Sequence, residues 1–238
     1  MSSSDSSHND HAAQHKAYLD GLHLGFNTPD EILIPLIKLA TGSDLVRKER
    51  IVKGESNEVY EVELTSAHKV ILRISRKDRR RFEREQWAMT QCEKAGIPVP
   101  NVIYIAALEG ADSPSWASVQ TKLAGRSIRD IQQSEGISDR RLQSILRKTG
   151  EILAIMHGIQ THGFGRIDGE GRAEYETEWD AINPIIENEQ LYDLAKEYEI
   201  DVRLLEESLT VARERTHEYT DTPRLLHNDL GPDHIFCG

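Results

Sequence analysis

Cysteine is scarce in this chain: its 238 residues hold only Cys92 and Cys237, with no C-x-x-C pair. A disulfide framework and a thiolate zinc site are therefore excluded. Long apolar runs are missing as well, and none approaches the roughly 18–20 residues that cross a bilayer. The start, MSSSDSSHNDHAAQHK, has neither the basic n-region nor the apolar h-region of a secretory signal. These absences predict a cytoplasmic protein with no membrane partner. Basic charge is in deficit, with 29 Lys and Arg against 40 Asp and Glu for a net charge of −11. A nucleic-acid partner is excluded on that ground, because it requires a clustered basic excess. No G-x-x-x-x-G-K followed by Ser or Thr occurs, which excludes a P-loop nucleotidase. The glycine-rich GFGRIDGEG (163–171) neither follows a strand nor opens a helix and fails the EF-hand spacing, so it reads as loop.

What is present fits one large domain or two small lobes. Charge is unevenly placed. Residues 168–221 carry 17 acidic and 5 basic side chains, so the other 184 residues sum to about +1. This segment is either a set of solvated helix faces or an attractor for a cationic small molecule.

Residues 1–14 have no apolar period and read as a disordered tail. A helix is expected in DEILIPLIKLATG, with Pro35 disturbing its middle and Gly42 near its end. ERIVKG, NEVYEVEL and KVILRIS are short, β-branched and alternating, and predict three antiparallel strands. KDRRRFEREQWAMTQCEKAG predicts a helix stopped by Gly96, and NVIYIAAL and SWASVQTKL two further strands. Helices follow in GRSIRDIQQ and after Ser138, a natural N-cap. Residues 175–219 read as mostly helix, with breaks near Pro184 and Ile200-Asp201. The last stretch, from Arg224, reads as strand, loop and the start of another strand. The order predicts an α+β chain of two lobes, residues 15–123 with the leading helix and residues 124–238 mainly helical.

Two charges break their local pattern. Arg73 interrupts the apolar strand Val70–Ile74, and Glu85 shares a helix face with Phe82, Met89 and Cys92. Each is costly to bury alone, so the two are expected to meet, as a structural ion pair or as a cation held toward phosphate. The turn Gly54-Glu55-Ser56-Asn57 lies between the first two strands, where small residues let backbone N–H groups approach phosphate. In HNDLGPDHIF (227–236), Asp229 follows His227 by two residues and His234 follows Asp229 by five. The kinase loop H-R-D-x-x-x-x-N has that spacing, with Asp as base and Asn on the metal.

In this order, GESNEVYEV, VILRIS, EQWAMTQCEKAGIPVP, KLAGRSI, ILAIMHGIQTHGFG and HNDLGPDHIF resemble the aminoglycoside phosphotransferase family over about residues 48–238. The resemblance implies a bilobal protein-kinase-like fold, with an antiparallel-sheet N-lobe holding one inward helix. It also implies a mainly helical C-lobe, incomplete at its C-terminal end because the family's second metal-binding Asp lies beyond Gly238. It further implies ATP- or GTP-dependent transfer of a phosphoryl group to a hydroxyl of a small molecule, with antibiotic resistance as the setting. By that resemblance residues 54–57 cover the phosphates, and Arg73 takes the place of the phosphate-binding Lys, positioned by Glu85. The backbone of Thr121, Lys122 and Leu123 reads the base, Asp229 orients or deprotonates the acceptor, and His234 takes the metal-ligand place of Asn. Magnesium is the implied metal, with manganese tolerance following from the imidazole ligand. The other reading is a kinase-like module that binds a nucleotide or partner without turnover.

Overall fold

The computed structural model describes residues 14, 17–77, 79–109, 114–188, 190–218 and 222–238. Except for Gln14, the tail expected at 1–14 lies outside them. The chain divides into two compact units: residues 1–89, 99–125 and 238 in one, residues 90–98 and 126–237 in the other.

The first unit opens with helix α1, described over residues 17–23, and α2 (Asp30–Thr41), which runs through Pro35 and ends at Gly42. Strands β1 (Leu45–Ile51), β2 (Glu58–Leu64), β3 (Lys69–Ser75), β4 (Val102–Ala107) and β5 (Trp116–Thr121) form one antiparallel sheet in the order β1-β2-β3-β5-β4. β2 alternates strictly: Glu58, Tyr60, Val62 and Leu64 are buried, and the residues between them half-buried. That period of two is the strand signature. The buried parity joins Leu72, Ile74 and Val119 and the α2 residues Leu33, Leu36 and Ile37 in one core. β1 starts four residues earlier than its motif and pairing stops at Ile51 with Val59, leaving 52–57 as an open turn.

Helix α3 (Arg80–Lys94) begins in the first unit, and its end, with the buried Cys92, groups with the second. The second unit contains β6 (Arg126–Ser127), α4 (Ile128–Ser134), α5 (Asp139–Met156), β7 (Phe164–Ile167) and β8 (Ala173–Tyr175). It continues with α6 (Glu178–Ile186), α7 (Gln190–Glu197), α8 (Val202–Glu218) and β9 (Phe236–Cys237). Ser127 and Ser138 cap α4 and α5, accepting from the N–H groups of Asp130 and Arg141. No described helix is long and apolar enough to cross a membrane.

Two expectations need correction, and a third is refined. GFGRIDGEG is no loop: β7 pairs with β8 in a hairpin, Phe164 opposite Tyr175. Glycine there permits close approach, since a Cβ on Gly163 would lie 2.3 Å from the Tyr175 carbonyl oxygen at a φ of 107°. The break expected near Pro184 falls just after Ile186, with Pro184 itself held inside α6. No strand precedes His227 either. Arg224 makes a single bridge to Gln160, and Leu225 donates its N–H to the Ile159 carbonyl.

Candidate active site

In the first unit, the turn between β1 and β2 is closed by the residue after it. Glu58 is fully buried, and four donors saturate its carboxylate. Oε1 accepts from the Thr28 N–H at 2.9 Å and the Tyr60 hydroxyl at 2.6 Å; Oε2 accepts from the Thr28 hydroxyl and Arg76 Nη2, each at 2.9 Å. Burial pushes the Glu58 carboxyl up, but these hydrogen bonds outweigh it and hold the group below its ordinary value. The Tyr60 phenol is raised, by burial first and then by its bond to Glu58. In the sequence the only sign of Glu58 is its parity, which it shares with Tyr60, Val62 and Leu64.

Arg73 projects from β3 opposite Val59 and meets Glu85 of α3, as the two pattern-breaking charges require. The fork is bidentate, Nη1 to Oε2 and Nη2 to Oε1, the latter at 3.2 Å. Arg81, one turn before Glu85, donates to the same carboxylate at 3.3 Å, so this trio carries a net positive charge. The Phe82 ring lies 5.4 Å from the guanidinium. Asn57 links the turn to this cation: in the amide orientation that matches donors with acceptors, its Oδ1 accepts from Arg73 Nη2 at 3.0 Å and its Nδ2 donates to the Ser56 carbonyl at 3.1 Å. The structure thus brings Asn57, Arg73 and Glu85 together. Gly54 and Glu55 are exposed, and a Cβ on Gly54 would meet nothing within 4 Å.

At the end of β5, Thr121 donates its N–H to the Asn101 carbonyl at 2.9 Å, and its hydroxyl accepts from Asn101 at 2.8 Å. Lys122 reaches Glu61 at 2.6 Å, which with Lys69 holds the Glu61 carboxyl below its ordinary range. Leu123 follows, half-buried.

The second unit holds the His227–His234 loop. Asn228 takes a φ of 60°, a left-handed conformation that asparagine tolerates, and turns the chain between His227 and Asp229. The Asp229 N–H donates to His227 Nδ1 at 3.4 Å, which places the imidazole proton on Nε2. His234 Nδ1 donates to the Asp229 carbonyl at 2.6 Å, which leaves its Nε2 as a lone-pair donor. The two rings stand 5.6 Å apart. Partial desolvation, then the neighbouring His234, pushes His227 below the ordinary imidazole range. Asp229 is exposed. The loop is anchored from the far side: Arg129 pairs with Asp233, the Ile128 N–H donates to the Ile235 carbonyl at 2.9 Å, and β6 pairs with β9.

Among the described residues no three His, Cys, Asp or Glu side chains converge. His234 offers one nitrogen where magnesium prefers oxygen. The described side chains therefore do not form a complete divalent-cation site of their own.

A family model described as APH, phosphotransferase enzyme family, matches residues 49–238. A comparison with the curated proteins finds no match. Among solved structures, an amicoumacin kinase in complex with AMP-PNP, Ca2+ and Ami is similar, at 15% identity and a TM-score of 0.42. The similarity covers 56% of this chain and 42% of that one, under half of its length.

Proposed function

The chain belongs to the phosphotransferase enzyme family, and from that premise we propose that it transfers the γ-phosphoryl group of ATP or GTP to a small-molecule hydroxyl, as on an aminoglycoside. The observation that carries the reading is the clamp on Arg73. Glu85 and Asn57 together take up three N–H groups of the fork and fix its plane. A guanidinium has five such groups, so two remain for phosphate oxygens. Because Asn57 belongs to the turn, a phosphate held by Arg73 also meets the backbone of residues 54–57. Positioning and electrostatics of this kind supply most of the catalysis in phosphoryl transfer.

The acceptor oxygen bonds to the γ-phosphorus as the bond from that phosphorus to the β–γ bridging oxygen breaks. The hydroxyl proton passes to the Asp229 carboxylate, and ADP or GDP departs. His227 and His234 hold the Asp229 backbone from both sides, one accepting from its N–H and the other donating to its carbonyl. Residues 121–123 read the base. Magnesium or manganese is the family's expected metal, and the described side chains do not complete a site for it.

Transfer of label from γ-labelled ATP and GTP to aminoglycosides, macrolides, sugars and amino alcohols is the test. Transfer to one class is expected, with Asp229→Asn slowing turnover about 10²–10⁴-fold as general-base loss does. Undiminished transfer by Asp229→Asn overturns the assignment of the base. Nucleotide binding with no transfer to any acceptor makes the chain a binding module instead.

A further inference from the structure

The segment before α2 belongs to no motif, yet it is tied to both ends of the 54–57 turn. His23 is buried at 4% exposure, and its Nε2 lies 2.7 Å from the Gly54 carbonyl oxygen. Its Nδ1 faces Arg50 Nη2 at 3.3 Å, and the same nitrogen donates to the His23 carbonyl at 3.0 Å. A guanidinium only donates, so Nδ1 accepts and the imidazole proton resides on Nε2, aimed at Gly54. Five residues on, Thr28 grips Glu58 through both its N–H and its hydroxyl. Between these two anchors the Phe26 ring lies 4.9 Å from His23, edge to face, and 4.7 Å from the Arg76 guanidinium.

We propose that residues 19–28 brace the phosphate turn, and that His23 is a positioning residue which orients the Gly54–Glu55 peptide. The inference rests on the nucleotide reading above and adds a residue to it. A trans peptide is planar, with its C=O and N–H pointing in opposite directions. Drawing the Gly54 carbonyl toward His23 therefore turns the Glu55 N–H away from the brace, outward from an exposed turn. Gly54 has no positive φ, and among the described residues a Cβ there would strike no neighbour, so the described structure does not itself demand glycine there. Open space beside Gly54 leaves room for an anion to approach the turn closely.

The test measures ATP, GTP and adenosine affinities of the full chain by calorimetry, for the wild type, His23→Leu and His23→Gln. Leucine fills the buried volume without a donor, and glutamine restores an N–H at similar reach. The triphosphate dissociation constant should rise about tenfold or more in His23→Leu and recover most of that in His23→Gln, the scale of one lost directed hydrogen bond. Adenosine, which has no phosphates, should bind both variants as it binds the wild type. Equal loss for adenosine and ATP indicates a structural lesion and overturns the positioning role. Unchanged ATP affinity in His23→Leu overturns the brace alone, whereas a wild type that binds neither triphosphate overturns the nucleotide reading beneath it. If His23→Leu fails to fold, the Glu55 amide resonance of the wild type decides. A shift on ATP addition supports the brace, and an unmoved resonance beside shifting neighbours overturns it.

Discussion

Removing a carboxylate that four donors share leaves all four unpaired at once. Glu58→Ala is therefore expected to cost about 3–5 kcal/mol, the range for breaking a buried ion pair from one side. Denaturant midpoints measure it, and a loss within about 0.5 kcal/mol, as at ordinary surface sites, contradicts the network. Glu58 also makes stability depend on pH. Its folded-state value lies below the ordinary 4.5, so its contribution is fully present above 4.5 and is lost as pH falls through the folded value. Between pH 6 and 3 the wild type should lose more stability than Glu58→Gln, which has no such carboxyl to titrate. Glu85 is a milder case, because its side chain is 26% exposed and Arg73 is 17% exposed. Glu85→Ala should cost about 1–3 kcal/mol, between the exposed and the buried extremes. Its larger effect is expected on triphosphate affinity, since the Arg73 fork then loses its plane.

Two glycines separate structural from ligand-directed demand at the level of the element. Gly163→Ala places a Cβ against the Tyr175 carbonyl in a left-handed backbone, and should destabilise the β7–β8 hairpin by about 2–3 kcal/mol. Gly54→Ala meets open space, and should change stability by under about 0.5 kcal/mol while weakening triphosphate binding. Thermal unfolding with and without nucleotide distinguishes the two. The sheet was legible because β2 and β3 alternate cleanly, and the Arg73–Glu85 contact because each charge broke a period its neighbours kept. The β7–β8 hairpin was not, since glycine is depleted in strands and here serves a close approach that only the partner strand reveals. The turn 54–57 was readable as a turn, but its brace was not. The bonds from His23 and Thr28 join residues about thirty positions apart, and no local spacing encodes them.

Over the whole chain, the acidic excess falls on residues 168–221, the stretch that contains β8, α6, α7 and α8. If these carboxylates draw in a polycationic acceptor, its KM should climb with ionic strength as the Debye length shrinks from about 10 Å at 0.1 M to about 3 Å at 1 M salt. A neutral acceptor should show little change, and salt-independent KM values for both reduce the segment to a solvated surface. The two cysteines differ in a way that is useful at this scale. Cys92 is 3% exposed, and burial pushes its thiol up, whereas Cys237 is only partly covered in β9. A maleimide dye applied near neutral pH is thus directed to Cys237 and spares Cys92, because thiolate and access are both required for alkylation. The native sequence thereby carries its own attachment point, three residues after His234. On the role proposed for Asp229, a fluorophore placed there would make acceptor arrival at its loop an optical signal, read in real time without a single substitution.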